Sequence, residues 1–174
     1  MADVGAPETA LIIRVRLPRA LEAIRRGAVV DADRGLPAHV TLLYPFAPEE
    51  ALDGRLRTAV ARALDRHSRF SFQLTGHRRW PETLYAAVEP EERFLSLHSD
   101  LAAAFPQYPL YGGAFEFVPH VTIAVGPAID LARIATDPAW SGLPATLAAD
   151  SVELIARRRG VWQTRWRFAL RAPS

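Results

Sequence analysis

Two short segments share a pattern of side chains able to move protons: His39-Val40-Thr41-Leu42-Leu43 and His120-Val121-Thr122-Ile123-Ala124. In an extended strand residues two apart project to the same face, so His39 and Thr41 point one way while Val40 and Leu42 point the other. The same holds for His120 and Thr122 against Val121 and Ile123. Each segment thus sets an imidazole and a hydroxyl in front of an apolar backing. Imidazoles titrate near neutral pH, so two in one cleft can divide the work, one taking a proton from a nucleophile and the other giving one to a leaving oxygen. Threonine hydroxyls can donate to non-bridging oxygens, where charge accumulates in a transition state. The combination suits phosphoryl chemistry. A single His-x-Thr would be explained as well by a half-buried histidine satisfied by its neighbour. Two copies with the same apolar filling argue for function.

The rest of the composition removes competing chemistries. The chain has no cysteine, hence no thiolate nucleophile and no disulfide framework. No cluster of carboxylates accompanies either motif, and two histidines fall short of the three or four protein ligands usual for zinc, so neither a metal nor a cofactor is expected. With 174 residues, 49% of them hydrophobic, the chain can bury a core as one compact domain or two small lobes. No apolar run reaches the roughly 18 residues of a membrane span, and MADVGAPETA lacks the basic start and apolar centre of a signal peptide. A cytoplasmic monomer with no membrane contact is the expectation. The net charge of +2 is small, and all 21 basic residues are arginine, so the pI of about 9.5 reflects side chains that stay protonated. A single arginine is therefore weak evidence of function here.

The elements that must position the motifs follow from periodicity. After a disordered-looking leader, residues 11–17 alternate as a strand closed by Pro18, and residues 19–30 carry a short helical pattern. A strand over 39–46 follows, then a helix over 48–67 with Leu52, Leu56, Val60 and Leu64 four apart. Strands at 70–76 and 84–89 are joined by a hairpin-like His77-Arg78-Arg79-Trp80-Pro81-Glu82-Thr83. The order then starts again: Pro90, a helix through Phe94, Leu97, Leu101 and Phe105, a loop at 106–113, a strand over 120–125, a helical stretch at 130–136, a loop, and strands at 151–157 and 161–170. This repeated order implies an internal duplication with lobe 1 over 10–80 and lobe 2 over 83–170. Hairpin signals at 77–83 and 158–160 favour an α+β fold of antiparallel sheets covered by helices.

Other polar residues divide between binding and plain structure. Arg14 and Arg16 share one strand face, and Arg157, Arg158, Arg159, Arg165 and Arg167 form the densest basic stretch; any of them could hold a phosphate bidentately, or simply face solvent. Trp80, Tyr85 and Trp162 are stacking candidates for a base, with core packing preferred. His67 and His98 read as packing or surface residues, and His77 as a loop residue.

The two motifs, together with LYAAVEP followed by Leu95, Leu97, His98 and Leu101 and with VPHVTIAVG, resemble the 2H phosphoesterases, which include bacterial RNA 2′,3′-cyclic phosphodiesterase/2′-5′ RNA ligase proteins. The likeness covers nearly the whole chain. It implies two pseudo-symmetric lobes of antiparallel sheet with helices outside and the active site between them. It also implies His39 and His120 as the catalytic pair and Thr41 and Thr122 as phosphate contacts, whereas Arg14, Tyr85 and Arg157 are candidate substrate contacts from the residues alone. The partner would be a nucleotide or RNA terminus bearing a cyclic phosphate, with reverse ligation of 2′-5′ ends open to the same site. By the same resemblance His120 would be the base and His39 the acid in ring opening. One departure stands out: Ala38, not proline, directly precedes the first histidine, and Pro37 sits one residue further back. Two other readings use the same residues, a binding module without turnover and a phosphodiesterase for another small cyclic phosphate.

Overall fold

The computed structural model describes residues 8–173; residues 1–7, most of the expected leader, lie outside the described residues. The elements run β1 (Thr9–Arg14), α1 (Arg19–Ala28), β2 (His39–Leu43), α2 (Gly54–Leu64), β3 (Phe70–Trp80), β4 (Thr83–Glu89), α3 (Glu92–Ala104), β5 (His120–Val125), α4 (Leu131–Ala135), β6 (Ala145–Ala149), β7 (Ser151–Arg158) and β8 (Val161–Ala169). They build two four-stranded antiparallel sheets, ordered β2-β1-β7-β8 and β5-β4-β3-β6. Each His-x-Thr strand is therefore an edge strand, paired on one side only, with its other edge turned towards the second sheet. Among the described residues no helix is long and apolar enough to cross a membrane.

Helix ends follow local chemistry. α1 starts behind Pro18, with Glu22 in its first turn and Arg25 and Arg26 in its last, the charge order that a helix dipole favours. The helix expected over 48–67 is shorter: a 3-10 turn at Glu49–Ala51 precedes it, and the Asp53 carboxylate caps α2 by accepting the Leu56 amide at 2.8 Å. Two of the helices, α1 and α3, cross to the other sheet. α1 follows β1 yet packs on β5, whereas α3 follows β4 yet packs on β2. In the main apolar core Leu11, Val40, Leu42, Val152 and Leu154 of the first sheet join Leu74, Val88, Val121 and Ile123 of the second.

Three sequence expectations are corrected. Residues 77–80 are not a loop but the end of β3, pairing with Ala86, Tyr85, Leu84 and Thr83, so the turn is only Pro81-Glu82. Their polar character reflects an exposed strand end, not a break in pairing. The loop after α4 contains β6, an edge strand on β3 that carries little apolar alternation to betray it. Finally, the sheets do not divide the chain at 80–83. β3 belongs with the second His-x-Thr strand, and the C-terminal β7–β8 hairpin returns to complete the first sheet. Lobes over 10–80 and 83–170 are thus replaced by two sheets that interleave in sequence, because strand pairing is non-local.

Candidate active site between the edge strands

The expected alternation holds on both edge strands. Val40, Leu42, Val121 and Ile123 are buried, while His39, Thr41, His120 and Thr122 remain half-buried on the opposite face. β2 and β5 come within 8 Å of each other between Cα atoms, so the two polar faces share one cleft.

Both imidazoles are held in the same way. The Nδ1–H of His39 donates to the Pro37 carbonyl at 2.7 Å, and the Nδ1–H of His120 donates to the Val118 carbonyl at 2.7 Å. A carbonyl only accepts, so the proton of each neutral ring sits on Nδ1 and Nε2 is left with its lone pair. Pro37 thereby serves the first motif through its carbonyl, although it is one position further from its histidine than Pro119 is from His120. A third histidine braces the pair: His98 Nδ1–H donates to the Leu42 carbonyl at 2.8 Å, and its ring stacks on Phe117 at 4.2 Å and 16°. This packing role matches its sequence reading, and it ties α3 to β2 and to the segment entering β5.

The electrostatics of the two rings differ. Burial pushes His39 down to about 4, opposed by its bond to Pro37 and assisted by the positive charges of Arg25, His120 and Arg14. His120 is also lowered, by burial, against the raising effect of its bond to Val118. With the extra repulsion from two arginines, His39 is the ring held more firmly neutral. Arg25 is a site residue that the sequence reading missed. Only 2% exposed, it bonds Glu22 and donates to the Leu36 carbonyl at 2.8 Å, fixing the loop that delivers His39. A basic residue in the last turn of a short helix gives no sign that it will be buried.

The remaining candidates separate. Arg14 is the cross-strand neighbour of His39 and forms a two-pronged ion pair with the buried Glu153, with contacts of 2.8 to 3.2 Å. Tyr85 pairs with Thr122 and packs edge-on to His120 at 5.2 Å, but it is only 6% exposed, so it is a wall of the site. Trp80, 37% exposed, lies edge-on to His120 at 4.7 Å and against Tyr85 at 4.2 Å. Arg157 is not brought to the histidines. It lies four residues along β7 from Glu153, about 13 Å away, with its Nε 3.2 Å from Asp31. Trp162 packs with Ala10, Ile12 and Ile155 as core. Arg158 and Arg165 pair with Glu49, and Arg159 sits in the β7–β8 turn. His67 is buried against Asp100 at 2.6 Å, and His77 packs on Trp140 at 4.9 Å. Among the described residues no group of three or more His, Cys, Asp or Glu stands where it could hold a metal ion.

Comparison with known proteins agrees with this fold. The chain is similar to the crystal structure of TT0787 of Thermus thermophilus, with a TM-score of 0.64 at 21% identity over 96% of this chain and 100% of that one. It is also similar to Escherichia coli LigT complexed with 3′-AMP, with a TM-score of 0.65 at 20% identity over 95% and 99%. LigT complexed with NADP+ gives a TM-score of 0.62 at 19% identity over 95% and 98%. No curated protein matches the chain by sequence. The family description of the 2′-5′ RNA ligase superfamily matches residues 14–161, and the chain belongs to that superfamily.

Proposed function

We propose that the protein is a metal-independent phosphodiesterase that opens a 2′,3′-cyclic phosphate on a nucleotide or RNA end, with His39 and His120 as its proton-transfer pair. The observation that carries this reading is the repeated arrangement on abutting edge strands: Nδ1–H committed to the carbonyl two residues back, which leaves Nε2 as the nitrogen that gains or gives the catalytic proton, and a threonine on the same face. In the reaction water attacks phosphorus, and one Nε2 takes its proton. The bond from phosphorus to one ribose oxygen breaks, and the imidazolium opposite gives that oxygen a proton. Thr41 and Thr122 donate to the non-bridging oxygens. A ribose 5′-hydroxyl in place of water, with O3′ as the leaving oxygen, would give a 2′-5′ linkage by the same proton transfers.

The electrostatics favour His39 as base and His120 as acid, the reverse of the assignment that the family resemblance implies. The state with one neutral and one charged ring is most populated when the ring of lower pKa is the neutral one, and the arginines act on His39. Crystal structures of LigT complexed with 3′-AMP and with NADP+ support a nucleotide as the ligand. The test is a panel of 2′,3′-cyclic mononucleotides, cyclic-phosphate RNA and ADP-ribose cyclic phosphate assayed in EDTA. Turnover of the first two with EDTA present supports the reading. Tight binding without turnover would leave a binding module, and turnover of the last alone would leave a different small cyclic phosphate.

A further inference from the structure

The face that carries His39 and Thr41 does not end at β1. Reading straight across the first sheet, Thr41 neighbours Ile12, Ile12 neighbours Glu153, and Glu153 neighbours Arg167, so all four project to the side that bears the histidine. Glu153 is only 1% exposed. Its carboxylate accepts from Arg14 Nε and Nη2, from the Thr164 hydroxyl at 2.9 Å and from Arg167 Nη2 at 2.8 Å. These partners hold its pKa below the ordinary value against the opposing effect of burial. Arg14 and Arg167 themselves stay 39% and 63% exposed.

A buried carboxylate is a poor way to stabilise a sheet, since an apolar side chain of similar size avoids the desolvation cost. What it does here is aim two guanidiniums. Each guanidinium carries five N–H donors, and the bonds to Glu153 and Thr164 occupy one edge of Arg14 and one nitrogen of Arg167, leaving further donors directed to solvent over the sheet. Two cations against one anion leave a net positive charge, which suits a singly charged phosphodiester. Neighbouring strands lie about 4.8 Å apart, so Glu153 sits about 10 Å from Thr41 and the guanidiniums lie around it. That places them within reach of the next backbone phosphates of a chain whose end lies between the histidines.

We propose that Arg14 and Arg167, held by Glu153 and Thr164, form a second phosphate subsite that binds a backbone phosphodiester of an oligonucleotide, making an RNA end the preferred substrate over a cyclic mononucleotide. This rests on the proposed cyclic phosphodiesterase reading.

The experiment compares kcat/KM for a 2′,3′-cyclic mononucleotide, a trinucleotide ending in 2′,3′-cyclic phosphate, and the same trinucleotide with neutral methylphosphonate linkages. Wild type should favour the charged trinucleotide over the mononucleotide by about 10-fold or more, the scale of one charge-assisted contact. Arg167→Ala should remove most of that preference and change mononucleotide hydrolysis by less than about 3-fold. The methylphosphonate trinucleotide should behave in wild type as the charged one does in Arg167→Ala, with no further loss when the two are combined. The salt slope of trinucleotide binding should fall by about 0.7 in the variant, one phosphate contact on a single strand. Equal kcat/KM for mononucleotide and trinucleotide in wild type, or an equal loss on both in Arg167→Ala, would overturn the subsite while leaving the phosphodiesterase reading intact. Hydrolysis of neither substrate by wild type would instead overturn that reading, and the subsite with it.

Discussion

His39 should make the fold sensitive to mild acid. Its pKa is lowered from 6.5 to about 4 in the folded protein, so the unfolded chain binds the extra proton throughout the window between those values. The sign follows: stability from the neutral ring is fully present above pH 6.5 and is lost as pH falls towards 4. With partial solvent access to the ring, the loss attributable to His39 at pH 4.5 is about 2 kcal/mol. Replacing His39 by Gln removes the titration while keeping a neutral polar side chain of similar size. Urea unfolding of both proteins at pH 7 and pH 4.5 isolates the effect, because His120, Glu153 and Asp100 titrate in both and cancel. Wild type should lose about 2 kcal/mol more than His39→Gln over that interval. Parallel losses would refute the claim that the fold holds this ring neutral. An NMR titration of the His39 ring should place its midpoint well below that of a free histidine and should move it up when inorganic phosphate binds, since a nearby anion favours imidazolium.

Because both imidazoles are lowered, kcat/KM for a cyclic phosphate should follow a bell whose maximum lies on the acid side of pH 6.5; a profile rising steadily through pH 8 would rule out two histidines in opposite protonation states. A substrate whose leaving group needs no proton should restore much of the lost rate in His120→Ala and little in His39→Ala, and the opposite pattern would reverse the assignment of base and acid. Thr41→Val and Thr122→Val should each lower kcat about 10-fold to 1000-fold without shifting the melting temperature much; unchanged kcat in both would leave the threonines with a structural role only.

The motif strands were legible because one strand with a buried and a half-buried face writes its period directly into the sequence, as His39 to Leu43 and His120 to Val125 do. The longer helices were legible for the same reason, through Val60 and Leu64 or Phe94, Leu97 and Leu101. Pairing was not. Arg14 and Glu153 are 139 residues apart, and nothing local in either announces the ion pair or the return of β7 to β1. β6 was hidden because Ala145–Ala149 is a short edge strand with Leu147 as its one large apolar residue, and the end of β3 because His77, Arg78 and Arg79 look like a loop when their partners on β4 are unknown. The electrostatic difference between the two histidines likewise depends on Arg25 and Arg14, which reach His39 only through the tertiary fold.

The most direct test of the account is the rate of 2′,3′-cyclic phosphate hydrolysis in EDTA by wild type, His39→Ala, His120→Ala and the double variant. Each single replacement removes one half of the proton relay, so each should abolish most of the turnover while circular dichroism and melting remain close to wild type. The double variant should be little worse than either single one, because the two rings act as a unit. Near-wild-type turnover in either single variant, or activity that appears only when a divalent metal is added, would contradict the account.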